Sequence, residues 1–229
     1  MLFYKEIDIQ PDELTVVSWI NPQTEATRKD HREKLKEPAA MRMPSERWVR
    51  NRALADDRVN EGLRRYLVES LRMLGVQSVA PVQLAEWSRQ PSEKYTFASN
   101  WSERHAAFAA GLGTFGLCDG LITPLGKAIR VGSVIVRHKM PITPRPYTHH
   151  REYCLYFSSG TCKKCMERCP VGAISSEGHN KVVCRAFVHE KVPPYIREQW
   201  NIKGHACGFC QVGVPCESRI PVKAKRKEA

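Results

Sequence analysis

Cysteine clustering is the feature of this sequence with the most direct chemical meaning. The 229 residues include nine cysteines, and all except Cys118 lie beyond residue 150. These eight fall into two sets of four. The first set is Cys154, Cys162, Cys165 and Cys169, and the second set is Cys184, Cys207, Cys210 and Cys216. Thiolates grouped in this way are typical ligands of zinc or of iron–sulfur clusters.

The first set resembles a ferredoxin cluster-binding run. Such a run has the spacing C-x2-C-x2-C-x3-C-P, and the chain from Cys162 to Pro170 fits its last three cysteines and its proline. Ser159 stands where the first cysteine is expected. Because serine is a harder and far less acidic ligand than a thiolate, we assign the first position to Cys154, with Gly160 helping the intervening loop to turn back.

The proline after the last cysteine predicts that the two sets exchange one ligand. In two-cluster ferredoxins, the cysteine before this proline ligates the other cluster. The same crossing predicts two [4Fe–4S] clusters here. The first would be held by Cys154, Cys162, Cys165 and Cys216, and the second by Cys184, Cys207, Cys210 and Cys169. Cys118 is left over, and the clusters imply one-electron transfer.

Two other uses of the cysteines are weaker interpretations. Paired C-x-x-C segments also suit structural zinc, but zinc does not need the continuation Cys169-Pro-Val-Gly-Ala-Ile. A secreted disulfide scaffold is expected to be short, to carry an export signal and usually to have an even number of cysteines. The chain has an odd number, and its first residues show no basic region followed by an apolar run. We therefore expect a cytoplasmic protein without membrane association.

The basic composition favours acidic partners. The formal net charge is +12 at pH 7, and the chain stays basic after the negative charge of two thiolate-bound clusters is counted. Phosphate neutralisation gives basic proteins a sequence-independent affinity for RNA and phosphorylated molecules. Ordinary solubilising charge is the alternative, since the lysines and arginines are scattered through the chain.

Strand and helix patterns alternate through the first two thirds of the chain. Buried strands are predicted at residues 14–20, 76–81 and 131–136. Apolar residues at helical spacing predict a long helix from Ser45 to Leu74, interrupted near Asp56-Asp57. Ser102 is expected to cap a second helix that stops at Gly111. This alternation predicts an α/β or an α+β layer, and we assign the α+β class.

A glycine-rich segment follows the second helix. Gly111, Gly113 and Gly116 form the spacing G-x-G-x-x-G, which in a dinucleotide site follows a strand and opens a helix. Here the spacing follows a helix, so a dinucleotide site is not predicted. The missing side chains would let the backbone approach a flat cofactor or a neighbouring strand. A helix end followed by a tight turn is the simpler alternative.

Together these features resemble one superfamily. The segment from Glu103 to Gly116, the stretch Leu121-Ile-Thr-Pro and the two cysteine sets are similar to those of epoxyqueuosine reductase and the respiratory reductive dehalogenases. The likeness is specific over residues 100–216 and fainter over residues 14–80. It implies a nitroreductase-like α/β domain that holds a corrinoid (cobalamin), and a C-terminal ferredoxin-like module whose two clusters pass electrons to the corrinoid or substrate.

The resemblance also implies site residues and partners. Gly111, Gly113, Thr114 and Gly116 would lie beside the corrinoid. Candidate active-site groups in or beside the matching segment are Glu103, Cys118, Asp119 and Arg130. Each candidate also has a structural interpretation. Glu103 would stabilise a helix N-terminus, and Cys118 would be a small buried hydrophobic residue. Asp119 would form a turn, and Arg130 would be a solvated charge. The electron donor would be a low-potential ferredoxin or flavodoxin. A homodimer or a partner protein would complete the wall around the cofactor.

Phe97 departs from the family pattern. It stands six residues before Glu103, where epoxyqueuosine reductases carry a proposed proton-donating aspartate, and phenylalanine has no proton to donate. The resemblance therefore supports the architecture better than epoxyqueuosine reduction. The predicted domains are an α/β domain at residues 1–145, the double-cluster module at residues 146–220 and a basic tail at residues 221–229. The alternatives are a non-enzymatic ferredoxin-type electron carrier and a basic RNA-associated protein with structural clusters.

Overall fold

The computed structural model describes residues 10–93 and 96–222 as a mixture of helices and strands, as the sequence predicts. The chain divides into two compact units. The first unit takes residues up to 21, 52–112 and 130–146, and the second takes residues 22–51, 113–129 and 147 onwards. The predicted division at residues 145 and 220 stays a prediction. Most of the predicted basic tail, residues 223–229, lies outside the described residues.

Most of the elements are short. The strands are β1 (Leu14–Pro22), β2 (Ser78–Val79), β3 (Arg89–Ser92), β4 (Thr96–Ser99), β5 (Thr114–Phe115), β6 (Leu121–Ile122), β7 (Ile129–Arg137), β8 (Ile174–Ser175) and β9 (Gly178–His179). The α-helices are α1 (Glu25–Glu33), α2 (Glu46–Leu54), α3 (Glu61–Met73), α4 (Glu103–Ala109), α5 (Leu155–Ser159), α6 (Lys164–Arg168), α7 (Lys181–Ala186) and α8 (Val192–Trp200). Turns of 3-10 helix lie at Pro11–Glu13, Lys34–Lys36, Ala39–Met41, Pro81–Gln83 and Phe209–Gln211, and π-helical turns lie at Ala55–Asn60 and Phe187–Lys191.

A three-stranded sheet organises the first unit. Strand β7 is central, between β1 and β2, and β2 runs antiparallel to it with Ser78 opposite Val136. The strands predicted at 14–20 and 131–136 are confirmed, and each is slightly longer than predicted. The strand predicted at 76–81 shrinks to two paired residues, because Pro81 begins a 3-10 turn.

The long predicted helix is present in two parts. α2 and α3 are joined by the π-helical turn Ala55–Asn60, so the interruption predicted near Asp56-Asp57 is confirmed. Leu67, Val68 and Leu71 of α3 pack against the buried sheet residues Val134 and Val136. The helical spacing of these residues therefore marks the face that α3 buries on the sheet.

The helix predicted after Ser102 is also present, as α4, but the predicted cap is wrong. The Ser102 hydroxyl pairs with Nδ1 of His105 at 2.8 Å and makes no capping hydrogen bond to the first turn. The local partner competes for the hydroxyl that would otherwise accept from a backbone N–H.

Two apolar clusters form the core of the second unit. One is centred on Trp48, Val192, Ile196 and Val212. The other contains Leu117, Cys118, Ile122, Cys154, Cys165 and Ile174, so cysteines themselves are part of the packed interior. Within the described ranges, no helix is long and apolar enough to cross a membrane.

Candidate metal centre

Four cysteines line one cavity in the second unit. The thiols that line it are those of Cys154, Cys162, Cys165 and Cys216. These are the four residues that the sequence assigns to the first cluster. The apolar wall consists of Leu117, Leu155, Tyr156, Val214, Pro215 and Pro221, and Lys127 adds a charged group. Four convergent thiols in an apolar wall match the donor set of a thiolate-bound iron–sulfur cluster.

Short helices position three of these thiols. Cys154 immediately precedes α5, Cys165 lies in α6, and Cys162 lies in the loop between them. Gly160 ends α5 with a φ of +67°, which lets the chain turn back as expected. The Ser159 hydroxyl donates to the carbonyl of Leu155 at 2.9 Å. This hydroxyl is therefore hydrogen-bonded within α5, which agrees with assigning the first ligand position to Cys154 and not to Ser159.

Three thiols of the other predicted ligand set meet around Cys207. Cys169 follows α6, and Cys184 lies in α7. Burial, reinforced by the charges of Cys184 and Cys169, raises the pKa of the Cys207 thiol to about 12. The charges of Cys169 and Cys184 therefore act on the Cys207 thiol, and the remaining member, Cys210, follows Cys207 by three residues.

An aromatic stack supports the loop that carries Cys207 and Cys210. The imidazole of His31 lies between the rings of Trp48 and Phe209. Each of these two ring centroids is 4.4 Å from the imidazole centroid. Burial lowers the pKa of His31 to about 3, so the ring is neutral near pH 7. Gly208, at a φ of +86°, passes so close to Trp48 that a Cβ atom would lie 2.2 Å from the indole. Only glycine fits there.

Thiols that bind one metal ion lie closer together than thiols that bind one iron–sulfur cluster. No three His, Cys, Asp or Glu side chains in residues 10–93 and 96–222 are grouped closely enough to hold one metal ion. In a [4Fe–4S] cluster each thiolate binds a different iron, whereas the four thiolates of a structural zinc site bind one ion. Cluster ligands therefore lie farther apart than zinc ligands.

Cys118, which the sequence leaves over, lies against members of both predicted sets. It is buried, as expected, with 4% of its surface exposed. Hydrogen bonds with Cys165 and Cys210, together with the charge of Lys127, lower the pKa of its thiol. The Lys127 ammonium donates to Cys118 Sγ at 3.2 Å. Nothing in the local sequence spacing indicated this position.

Asp119 has the turn conformation that competes with its candidate catalytic role. Its φ is +57°, in the left-handed region that aspartate tolerates. Its Oδ2 atom lies 3.2 Å from Nδ1 of His179 in β9. Hydrogen bonds with Asp119 and Cys184 raise the pKa of His179 to about 9, so this imidazole is a cation beside a predicted cluster ligand. Sequence reasoning missed His179, because the contact spans 60 residues.

Glu103 is held by a network within the first unit. One carboxylate oxygen accepts from the Arg64 guanidinium at 2.9 Å, and the other accepts from the Ser133 hydroxyl at 2.6 Å. Ser133 Oγ in turn accepts from the indole N–H of Trp101 at 3.1 Å. Burial raises the pKa of Glu103, and the bonds to Ser133 and Arg64 oppose that effect. Both carboxylate oxygens are thus used in binding α4 to α3 and β7.

Arg130, the other candidate in the first unit, and Phe97 both lie on strands. Arg130 is half-buried on β7. Phe97 is half-buried on β4, opposite Pro91 of β3. The structure does not bring Glu103, Cys118, Asp119 and Arg130 together within one unit, because Glu103 and Arg130 lie in the first and Cys118 and Asp119 in the second.

The glycines predicted to face a cofactor contact their own chain. A Cβ atom on Gly113 would lie 2.2 Å from the carbonyl oxygen of Ile122 in β6, and one on Gly111 would lie 3.0 Å from that of Pro144. Gly116 has ordinary van der Waals neighbours. The Thr114 hydroxyl is buried and accepts from the N–H of Tyr153 at 2.9 Å. For Gly113, these contacts fit the interpretation that the missing side chain allows close approach to a neighbouring strand, here β6.

Comparison with curated proteins finds reductive dehalogenases, while no family model matches the chain. Over 120 residues the chain is 33% identical to tetrachloroethene reductive dehalogenases of Desulfitobacterium hafniense and Dehalobacter restrictus. The match covers 51% of this chain and 20% of each relative. The chain thus spans about a fifth of the length of the curated relatives it matches.

Comparison with solved structures finds epoxyqueuosine reductases. One, from Bacillus subtilis, aligns with 72% of this chain and 40% of its own, at 18% identity and a TM-score of 0.42. Another aligns with 69% of this chain and 39% of its own, at 20% identity and a TM-score of 0.43. The sequence identity to the dehalogenases bears out the predicted resemblance to the superfamily that includes them.

Proposed function

We propose that this chain is an iron–sulfur oxidoreductase that binds two [4Fe–4S] clusters and transfers one electron at a time. The observation that carries the proposal is the cavity in which Cys216 meets Cys154, Cys162 and Cys165. A ferredoxin-type crossing requires this meeting between a distant cysteine and three from the first set. The charges of Cys169 and Cys184, which act on the Cys207 thiol, support the other half of the crossing.

The residues of the chain have two tasks in this function. The apolar wall around the first set keeps water from the sulfur atoms, which influences the reduction potential of a cluster. The stack of His31, Trp48 and Phe209 fixes the loop that carries Cys207 and Cys210. When bound, the clusters supply one-electron transfer. The proposed donor is a low-potential ferredoxin or flavodoxin, while RNA binding and a homodimer stay predictions.

The finer fold assignment belongs to the same proposal. We assign the first unit to a nitroreductase-like α/β domain and the second to a ferredoxin-like double-cluster module. In support, the first unit contains the β1-β7-β2 sheet with α3 packed on it, and all eight predicted cluster ligands belong to the second.

Two of the glycines assigned to corrinoid contact pack closely against backbone of their own chain. The sides of Gly111 and Gly113 that lack a side chain are filled by the backbones of Pro144 and Ile122. On that side, Gly111 and Gly113 leave no space for a flat ring, whereas Gly116 has ordinary van der Waals neighbours. The proposed electron transfer uses the two clusters, and corrinoid binding stays a prediction of the resemblance.

We expect the chain alone to retain no corrinoid. Cluster-loaded protein would be incubated anaerobically with hydroxocobalamin and passed through gel filtration, and the visible spectrum would be recorded before and after reduction. The expected result is intact clusters without corrinoid absorption, because backbone atoms of Pro144 and Ile122 fill the space beside Gly111 and Gly113. Retention of about one corrinoid per chain, with cob(II)alamin formed by reduced clusters, would contradict this prediction and favour the corrinoid-dependent reductase.

Anaerobic reconstitution with iron and sulfide is expected to load about eight irons per chain, four for each predicted cluster. The product should show broad absorption at about 400 nm that bleaches on reduction, as thiolate-bound clusters do. Iron and acid-labile sulfide assays provide the measurement. Stoichiometric zinc without iron uptake would overturn the proposed function in favour of structural zinc sites.

A further inference from the structure

Lys127 is a charged residue in the interior of the second unit. Only 3% of its surface is exposed, and it lines the cavity of the first cysteine set. Its ammonium donates to Cys118 Sγ at 3.2 Å. Lysine is almost never fully buried unless it is paired. The partner that the described residues give this ammonium is the sulfur of Cys118.

The backbone fixes where this ammonium lies. The N–H of Lys127 donates to the carbonyl of Cys216 at 2.8 Å, which ties the residue directly to a predicted cluster ligand. Gly120 leaves room for the aliphatic stem, because a Cβ atom there would lie 2.8 Å from Lys127 Cδ. The side chain is therefore anchored at its backbone, along its stem and at its charged end.

The sulfur atoms around the ammonium belong mainly to the first predicted cluster. Cys216 and Cys165 both act on its charge, and both line the same cavity as Lys127. Cys210, of the second predicted cluster, acts on it less than Cys216 does and more than Cys165 does. Because Lys127 lines the cavity of the first set and its backbone is bonded to Cys216, we expect the first cluster to feel the lysine charge more strongly than the second.

A fixed buried cation favours reduction of a nearby cluster. Reduction adds one negative charge, and Coulomb attraction to a cation is much stronger in the protein interior than in water. The net charge near a cluster and hydrogen bonds to its sulfurs are among the factors that set its reduction potential. We propose that Lys127 raises the reduction potential of the cluster held by Cys154, Cys162, Cys165 and Cys216. This inference rests on the proposed function, since it requires that the cluster is bound.

The test is a redox titration of reconstituted protein, followed by electron paramagnetic resonance. In Lys127→Met, the ratio of reduced to oxidised cluster at the first centre should fall at least tenfold at a given potential. For one electron, this change lowers the reduction potential by about 59 mV. The centre that depends on Cys207 should shift less. Lys127→Arg keeps the charge and should stay near the unaltered protein, and Lys127→Gln should repeat the effect of Lys127→Met.

The outcomes separate this inference from the function on which it rests. If the unaltered chain binds no clusters, the proposed function fails and takes the inference with it. If the neutral variants bind both clusters and neither potential moves, the inference is wrong while the function stands. A cluster that is lost in both neutral variants but kept in Lys127→Arg would also overturn it, because the charge would then serve assembly. A larger shift at the first centre supports it.

Discussion

Cys169→Ser is expected to damage the same cluster as Cys207→Ser, and to spare the cluster that Cys162→Ser damages. The Cys169 charge acts on the buried Cys207 thiol, whereas Cys162 lines the cavity of the first set. Serine is a poorer ligand for iron in such clusters than a thiolate, so each variant should lose about four of eight irons. Iron content and the electron paramagnetic resonance spectrum of the reduced protein provide the measurement.

Cys118→Ser is the matched control for this experiment. It makes the same substitution at another buried cysteine, in contact with Cys165 and Cys210, but outside the eight predicted ligands. It should keep about eight irons per chain. A Cys169→Ser spectrum that matches Cys162→Ser instead would show that the ligands do not cross. Loss of a cluster in Cys118→Ser would show that the choice of eight ligands is mistaken.

The sequence predicted the features whose signals are local. Strands β1 and β7 follow from continuous β-branched runs, and α2 and α3 follow from apolar residues at helical spacing. The two-residue strands of the hairpins β5-β6 and β8-β9 are too short to form a periodic pattern. The five-residue helices α5 and α6 are too short for the same reason.

Contacts between distant residues account for what the sequence did not predict. His31 reaches Trp48 and Phe209, and no spacing rule connects these three positions. Lys127 becomes a site residue only because folding places it against Cys118 and Cys216. In the sequence it is one basic residue among many. The cysteine pattern could be interpreted in advance because cluster ligation imposes a spacing on the chain itself.

Arg64→Met is expected to destabilise the first unit by about 3–5 kcal/mol, the usual cost of removing one partner of a buried ion pair. The side chains of Arg64 and Glu103 are only 7% and 17% exposed, and methionine keeps most of the aliphatic packing. Urea unfolding followed by tryptophan fluorescence provides the measurement, because Trp101 donates to Ser133 in the same network. Arg65→Met is the control: Arg65 is exposed on the same helix, and its effect should stay within about 0.5 kcal/mol.

The pH dependence of the stability loss in Arg64→Met tests whether the unpaired charge of Glu103 causes it. Burial already raises the pKa of Glu103 above its ordinary value of 4.5, and losing Arg64 raises it further. Below pH 4.5 the carboxyl is protonated in both the folded and unfolded states, so the loss of stability in Arg64→Met should shrink there and grow as the pH rises above 4.5. Adding Glu103→Gln removes the stranded charge and should restore much of the stability. If the double variant is no more stable than Arg64→Met, and the effect does not vary with pH, then the ion pair does not hold α3 and α4 together. Glu103 would then be available for the catalytic role that the resemblance implies.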